Sequence, residues 1–343
     1  MELNKEQADQ FQEFNHLCSE HGLLGRPKGL HDADVQHGIN DEVTLLRFFK
    51  AGQFDPQKAI QQFQEAVKFH QAQHVLGLYD NIHVQDFEDA RKFYPHWTGR
   101  RDRRGLPILM VDMAHYNHAG LAHWKKTRTM SCCRDPFLEC TDGPNMSQRV
   151  SVFYDSLTRF VLPLCSALKD RPNPSIPVSN AVYVVDASVI SIKQAWDLRE
   201  FAQDISGILM TCYPETIEKI FVCNVPSYFS TIWNILKKWL DPVTAKKVVV
   251  LKQAEAYTTL EKYIDKENIP ERFGGGFPFT NGMLPDLDKG IRQALRWTVL
   301  SECVPDGPIK WRQHGDGQLI AVATGSVQEK TLRNTEFAIL DHQ

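Results

Sequence analysis

Residues 213–251, YPETIEKIFVCNVPSYFSTIWNILKKWLDPVTAKKVVVL, decide how this chain folds. The apolar run 220–224 reads as a strand, a helical pattern follows from about 228 to 240, and 247–251 is a second β-branched run. Two strands joined through a helix lie parallel, since a tight hairpin cannot accommodate so long a connection. One right-handed crossover unit is predicted. Its helix is too apolar for an ordinary covering helix: Tyr228, Phe229, Ile232, Trp233, Ile235, Leu236, Trp239 and Leu240 spread around most of it, and only Asn234, Lys237 and Lys238 give it a polar side. Such a helix lies either deep in a core or over something apolar that is not protein.

Charges frame this unit. Glu215 follows Tyr213-Pro214 just before the first strand, while Thr244 and Lys247 precede the second, beyond the helix stop Asp241-Pro242. In adjacent parallel strands these entrances lie at one end of the sheet, so a carboxylate, a hydroxyl and an ammonium are expected to converge beneath the apolar helix. Charges in such a place need a partner or a polar ligand, and a lipid with a phosphorylated head suits them.

At this point the chain resembles a known family. Pro214-Glu215 after a helix, the turn Leu240-Asp241-Pro242-Val243-Thr244 followed by Lys247, and Ile269-Pro270-Glu271-Arg272-Phe273-Gly274-Gly275 are similar, in that order and spacing, to the hallmarks of the CRAL-TRIO family. That family includes yeast-type phosphatidylinositol transfer proteins and the retinaldehyde- and tocopherol-binding proteins. The resemblance runs from about 41 to 279. It implies an apolar cavity between sheet and helices, closed by the apolar helix acting as a gate through Phe229, Ile232, Trp233 and Leu236. It also implies that Glu215 and Lys247 hold a phosphatidylinositol head, with Thr244 near the phosphate. Lys247 would meet the phosphodiester, and Glu215 would accept from ring hydroxyls or pair with Lys247 when the site is empty. A plain structural salt bridge is the alternative for that pair.

Two departures matter. Where the family's usual turn reads LRFLRARKFD, residues 46–55 read LRFFKAGQFD, so Arg47 matches but Lys50, Gly52 and Gln53 stand where relatives are usually more basic. Arg47 and Lys50 remain candidates for the inositol side of the head, against an alternative as ordinary solvated helix charges. Transfer proteins that also carry phosphatidylcholine have a serine and a threonine where this chain has Ala181 and Tyr183. Choline-lipid binding is therefore in question, and a sterol or prenyl-type second ligand becomes a candidate.

The rest of the chain fits an α/β fold with a largely parallel sheet. Its 343 residues, 42% hydrophobic and 24% charged, can bury a large core. A net charge of -3 without a dense basic run gives no footprint for nucleic acid. The polar N-terminus and the lack of any run near the roughly 20 apolar residues of a membrane span argue for a soluble protein. Eight cysteines without a CxxC pair fit a reducing compartment, hence a cytoplasmic location. Three parts are expected: a helical N-terminal subdomain over 1–85, a lipid-binding domain over 86–280, and a C-terminal extension over 281–343.

Within them, residues 1–40 say little beyond one short helix. Asp55-Pro56 starts a helix as N-cap and first-turn proline. RRDRRG at 100–105 reads as a hairpin turn into a strand at 106–113, with a phosphate site as the alternative. A long helix through Val150, Phe153, Leu157, Phe160, Leu164 and Leu168 bends near Pro163. A strand follows at 181–185, ending in Asp186, and then a helix over 192–212. Trp311 and residues 319–323 point to one short strand packed back on the domain, with the last dozen residues disordered. His115, His118 and His123, and Cys132, Cys133 and Cys140, lack zinc spacing, and His70 and His74 share a helix face but lack the glutamate of a zinc protease, so no metal is expected.

The resulting expectation is a monomeric lipid-binding and transfer protein without a cofactor other than its lipid. It would touch membrane surfaces transiently and peripherally. An enzyme reusing the cavity for an apolar substrate, with Tyr183, Asp186 or Glu215 as acid or base, is the alternative, although no nucleophile-base constellation is visible. A scaffold that binds a protein partner is a third.

Overall fold

The computed structural model describes residues 3–131, 143–328 and 331–341. Cys132, Cys133 and Cys140 lie outside the described residues. The chain opens with helices α1 (Lys5–Glu20), α2 (Glu42–Ala51) and α3 (Pro56–Ala72). Asn4 starts α1 in a capping box with Gln7, and Asp55 Oδ1 starts α3 by accepting from Gln57 and Lys58 N–H at 2.9 and 3.2 Å. The two helices α2 and α3 meet so closely that a Cβ on Gly52 would lie 2.9 Å from Ala59 N. That contact gives Gly52 a packing reason to replace the longer residue usual there.

Residues 1–40 contribute more than their composition promises. Phe14 and Cys18 of α1 have no exposed surface, and Phe14 packs on Phe11 and Phe49. Asp34, also buried, accepts from Lys310 Nζ and from Arg312 Nε at 3.0 Å, tying the N-terminal stretch to the C-terminal sheet. Two shorter helices, α4 (Val75–Asn81) and α5 (Val84–Phe93), lead into the main sheet.

That sheet is five-stranded, in the order β1 (His96–Arg101), β2 (Pro107–Asp112), β3 (Ala181–Asp186), β4 (Ile217–Cys223), β5 (Val248–Val250). β1 and β2 form the antiparallel hairpin expected of RRDRRG, and β2 to β5 are parallel. Between β2 and β3 run α6 (His118–Arg128), α7 (Met146–Ser156) and α8 (Leu162–Ala167). The expected bend near Pro163 is a π-turn over Leu157–Val161, in which Leu162 N–H reaches back to Leu157 O. Widening the turn relieves the clash of a proline ring with the carbonyl four residues earlier.

The expected helix over 192–212 is two, α9 (Ile192–Asp197) and α10 (Arg199–Cys212). The apolar helix α11 (Phe229–Leu236) is shorter than 228–240, because Lys238 and Trp239 tighten into i→i−3 bonds: Lys238 N to Ile235 O and Trp239 N to Leu236 O. After α12 (Pro242–Lys246) and β5, α13 (Gln253–Leu260) and the 269–279 loop cover the sheet face bearing Ile108, Met110, Val182, Val184 and Phe221. In that loop a Cβ on Gly275 would sit 2.0 Å from Ile269 O, so the close return of the chain requires glycine.

The C-terminal expectation needs correction. After α14 (Lys289–Gln293), strands β6 (Leu295–Trp297), β7 (Ile309–Gln313), β8 (Leu319–Ala323) and β9 (Thr335–Leu340) form an antiparallel sheet ordered β6-β9-β8-β7. The residues expected to be disordered include β9, which pairs with both β6 and β8. Phe337, Ala338 and Leu340 are buried there, and Trp311 stacks on Phe160 of the π-turn with ring centres 4.9 Å apart. Apolar burial against the main domain outweighs the polar composition of the connecting turns.

One buried residue carries a pH prediction. His96 in β1 is 1% exposed, with Nδ1 3.3 Å from Tyr94 O and Nε2 accepting from Gly282 N–H at 3.2 Å. The ring must be neutral to accept, and burial pushes its pKa from 6.5 down to about 3, with Arg91 acting in the same direction. The unfolded chain binds a proton below about 6.5 that the folded chain refuses, so stability falls as pH drops from 6.5 toward 3. The contribution approaches about 1.4 kcal/mol per pH unit. Urea unfolding at about pH 7.5 and about pH 4.5 is expected to show a smaller difference for His96→Asn than for the wild type. Equal differences would mean that His96 titrates normally.

Candidate functional site

The turn before β4 is held from two sides. Tyr213 Oη donates to Asp155 Oδ1 at 2.7 Å and lies 2.9 Å from Ser151 O, both on α7. From α2, Arg47 Nη1 donates to Pro214 O at 3.4 Å while Nη2 bonds Thr44 Oγ1 at 3.2 Å. Arg47 is 2% exposed, and burial pushes its pKa down to about 10 against the pull of Asp41, Tyr213 and Asp155, so it stays charged at neutral pH. It sits behind the turn that presents Glu215.

Glu215 itself adopts φ +56°, a left-handed conformation that costs a non-glycine residue about 1 kcal/mol or more. Its Oε2 receives Lys247 Nζ at 3.0 Å, and the same ammonium donates to Ile217 O at 2.7 Å. The pair lies at the common entrance of β4 and β5, as parallel pairing demands, and both side chains keep some contact with solvent. Lys50, half-buried at the end of α2, adds a second ammonium: burial lowers its pKa, and Glu215 and Glu218 oppose that shift. Thr244 lies in α12 one turn before Lys247, donating its N–H to Asp241 Oδ2 at 2.8 Å and accepting Lys247 N–H at 3.0 Å.

The hairpin arginines extend this polar rim. Arg104 reaches across to Glu218 at 2.8 Å while also pairing with Asp102, and Asn180 donates to the other Glu218 oxygen at 2.9 Å. Nothing local in the sequence distinguishes Arg104 from its neighbours. Glu218 lies 114 residues away.

Ala181 and Tyr183 project from β3 into the cluster that holds Leu157, Phe160 and Leu164. Tyr183 is 4% exposed, burial raises its pKa well above the usual tyrosine value, and its hydroxyl has no hydrogen-bond partner among the described groups. Leaving it unpaired costs about 1–3 kcal/mol.

The apolar helix α11 rests directly on the same sheet face. Phe229 and Ile232 are buried against Ala187, Ile190, Ala195, Val222 and Val225, with Trp233 and Leu236 at the margin. Tyr228 Oη donates to Ile190 O at 3.1 Å, and Trp239 meets Trp196 of α9 edge-to-face. Phe229 and Ile232 thus fill the space expected to be open beneath this helix.

A cluster that sequence reasoning missed stands at the opposite ends of β2 and β3. Asp112 and Asp186 are neighbours in register, and Arg272 Nη1 bridges them at 2.6 and 2.8 Å. Arg272 belongs to the Ile269–Gly275 motif, but its partners lie 160 and 86 residues away. Asp186, an acid or base candidate in the enzyme alternative, is thus held in an ion pair. Among the described residues no set of three His, Cys, Asp or Glu side chains is gathered as a metal site; His70 Nε2 stands 4.0 Å from Asp155 Oδ1, and His74 caps α4.

A helical subdomain, a mainly parallel sheet with an acid-base pair at two strand entrances, and an apolar helix laid across one face define a distinct class of α/β protein. Residues 91–275 match the CRAL/TRIO domain, and the chain belongs to that family. It is similar to the SEC14 cytosolic factor of Candida glabrata, 28% identical over 235 residues that cover 68% of this chain and 70% of that protein. It is also similar to the phosphatidylinositol/phosphatidylcholine transfer protein SFH9 of Arabidopsis thaliana, at 27% over 241 residues, 69% of this chain and 37% of that protein. The crystal structure of Sfh5 shares the fold at TM-score 0.50 and 14% identity, covering 82% of this chain and 91% of that one. Among the described residues no helix is long and apolar enough to cross a membrane.

Proposed function

We propose that this chain binds phosphatidylinositol and moves it between membranes, docking transiently on a bilayer from the cytoplasm as a monomer and carrying no cofactor other than the lipid. The observation that carries the reading is the Lys247–Glu215 pair at 3.0 Å. A phosphodiester can displace Glu215 from Lys247, after which the carboxylate is free to accept from inositol hydroxyls. Thr244, on the turn before Lys247, supplies a hydroxyl for the phosphate. The similarity to the phosphatidylinositol/phosphatidylcholine transfer protein SFH9 supports the same lipid class.

Uptake would require α11 to leave its seat, because Phe229 and Ile232 pack directly on Val222 and Val225 and leave no room for acyl chains beneath it. Pro226 before it and Asp241-Pro242 after it bound the segment that swings. At the membrane, Phe229, Ile232, Trp233 and Leu236 would turn to the bilayer interface. The second ligand reads as an apolar molecule with one polar group, such as a sterol, because the Tyr183 hydroxyl has an unmet hydrogen bond in an otherwise apolar wall. Ala181 and Tyr183 together leave no hydroxyl pair for a choline phosphate.

The test is to purify the protein from a eukaryotic host and identify its cargo by native mass spectrometry with lipid extraction. Phosphatidylinositol is the expected cargo, exchangeable between vesicles. A different apolar molecule, held equally well after Glu215 and Lys247 are removed, would make that pair structural and end the head-group reading.

A further inference from the structure

Behind the turn that presents Glu215, the N-terminal subdomain and Cys212 of α10 enclose a cavity of about 970 Å³, at the upper end of the range for small-molecule sites. One wall is the loop after α1, the other is the second half of α3 with the start of α4, and α2 closes the bottom. The half-buried Ile39, Val67 and Leu76 give it an apolar floor, laid over the fully buried Phe48, Phe63 and Ala66.

The lining is one-sided in charge. Arg26, Lys28 and Lys68 stand around it with His21, His70 and His74, and no Asp or Glu is among the lining residues, although the chain as a whole is acidic. Among the described residues, none of the three cations makes an ion pair. Arg26 Nη2 donates to the main-chain carbonyls of His31 and Asp34, which anchors the loop and leaves the charge uncompensated. The three cationic side chains are exposed, so they surround the mouth while the apolar floor lies below. A concave site with positive charge at its mouth concentrates anions, and an apolar base selects those with a hydrocarbon part.

The geometry points to a second ligand site, in which a single-chain amphiphilic anion places its phosphate or carboxylate among Arg26, Lys28 and Lys68 and its apolar body on Ile39, Val67 and Leu76. This site is separate from the one at Lys247 and is filled independently of it.

Titration of the full chain with lysophosphatidic acid, oleate and inorganic phosphate, followed by calorimetry, tests this. One amphiphile is expected to bind per chain, weakened about tenfold or more by combined Lys28→Glu and Lys68→Glu and unaffected by Lys247→Ala. Binding of lysophosphatidic acid alone identifies a phosphate head, and binding of oleate as well identifies any anionic amphiphile. Val67→Phe, which narrows the floor, should weaken the amphiphiles and leave inorganic phosphate unchanged. Absence of saturable binding, indifference to the double charge reversal, loss with Lys247→Ala, or inorganic phosphate binding as tightly as the amphiphiles would each overturn the proposal.

Discussion

Lys247→Ala is expected to weaken phosphatidylinositol binding by roughly 10- to 150-fold while leaving the fold almost as stable as before. The ammonium is the one charge at the site that both faces the Glu215 carboxylate and is fixed in place by a main-chain acceptor, Ile217 O. A hydrogen bond to a charged group contributes about 1.5–3 kcal/mol, which sets the range of the loss. The ion pair itself is only partly shielded from water, and pairs of that kind contribute about 0–1 kcal/mol to stability.

Loss of transfer without loss of Tm therefore separates a binding role from a structural one. Glu215→Gly sharpens the comparison. Its left-handed φ of +56° suits glycine, so this variant should be unchanged or slightly raised in Tm while losing inositol recognition. Vesicle-to-vesicle transfer of phosphatidylinositol, measured beside thermal unfolding, reads both. If either variant transfers at the wild-type rate, the head group lies elsewhere.

Arg272→Ala should lower stability by about 2–3 kcal/mol, below the 3–5 kcal/mol of a fully buried pair because about a third of the guanidinium side chain is exposed. The variant leaves Asp112 and Asp186 side by side in register with no counter-charge, and both carboxylates are largely shielded from water. Adding Asp112→Asn should recover part of the loss by removing the like charge. The double substitution failing to recover anything in urea unfolding would show that repulsion is not the cause.

The same cluster bears on the seat of α11. Asp186 Oδ1 accepts from Ser188 N–H at 3.0 Å, which shapes the loop whose Ala187 and Ile190 form the seat of α11. Loosening Arg272 should therefore also make α11 easier to open, visible as faster hydrogen exchange in 229–236.

Local pattern dictates much of this molecule. The alternation of β3, α10, β4, α11 and β5 follows from short β-branched runs separated by helical periodicity, and parallel pairing follows from connection length alone. That pairing in turn brings Glu215 and Lys247 to one end of the sheet, so their meeting is legible before any coordinates. Asp55-Pro56 and Asp241-Pro242 act within one turn of chain and are equally legible.

Contacts between distant segments are different, because no pattern within a dozen residues encodes them. Arg272 meets Asp112 across 160 residues, Lys310 meets Asp34 across 276, and Arg104 meets Glu218 across 114. The strand Thr335–Leu340 was unreadable for a related reason: its alternation is short, and its stability comes from β6, β8 and the shared core rather than from itself. The helix Phe229–Leu236 marks the boundary between the two. Its apolar circumference is written in the residues, yet whether those residues cover lipid or close on Val222 and Val225 depends on packing free energies of the whole domain, which assembled tertiary contacts alone determine.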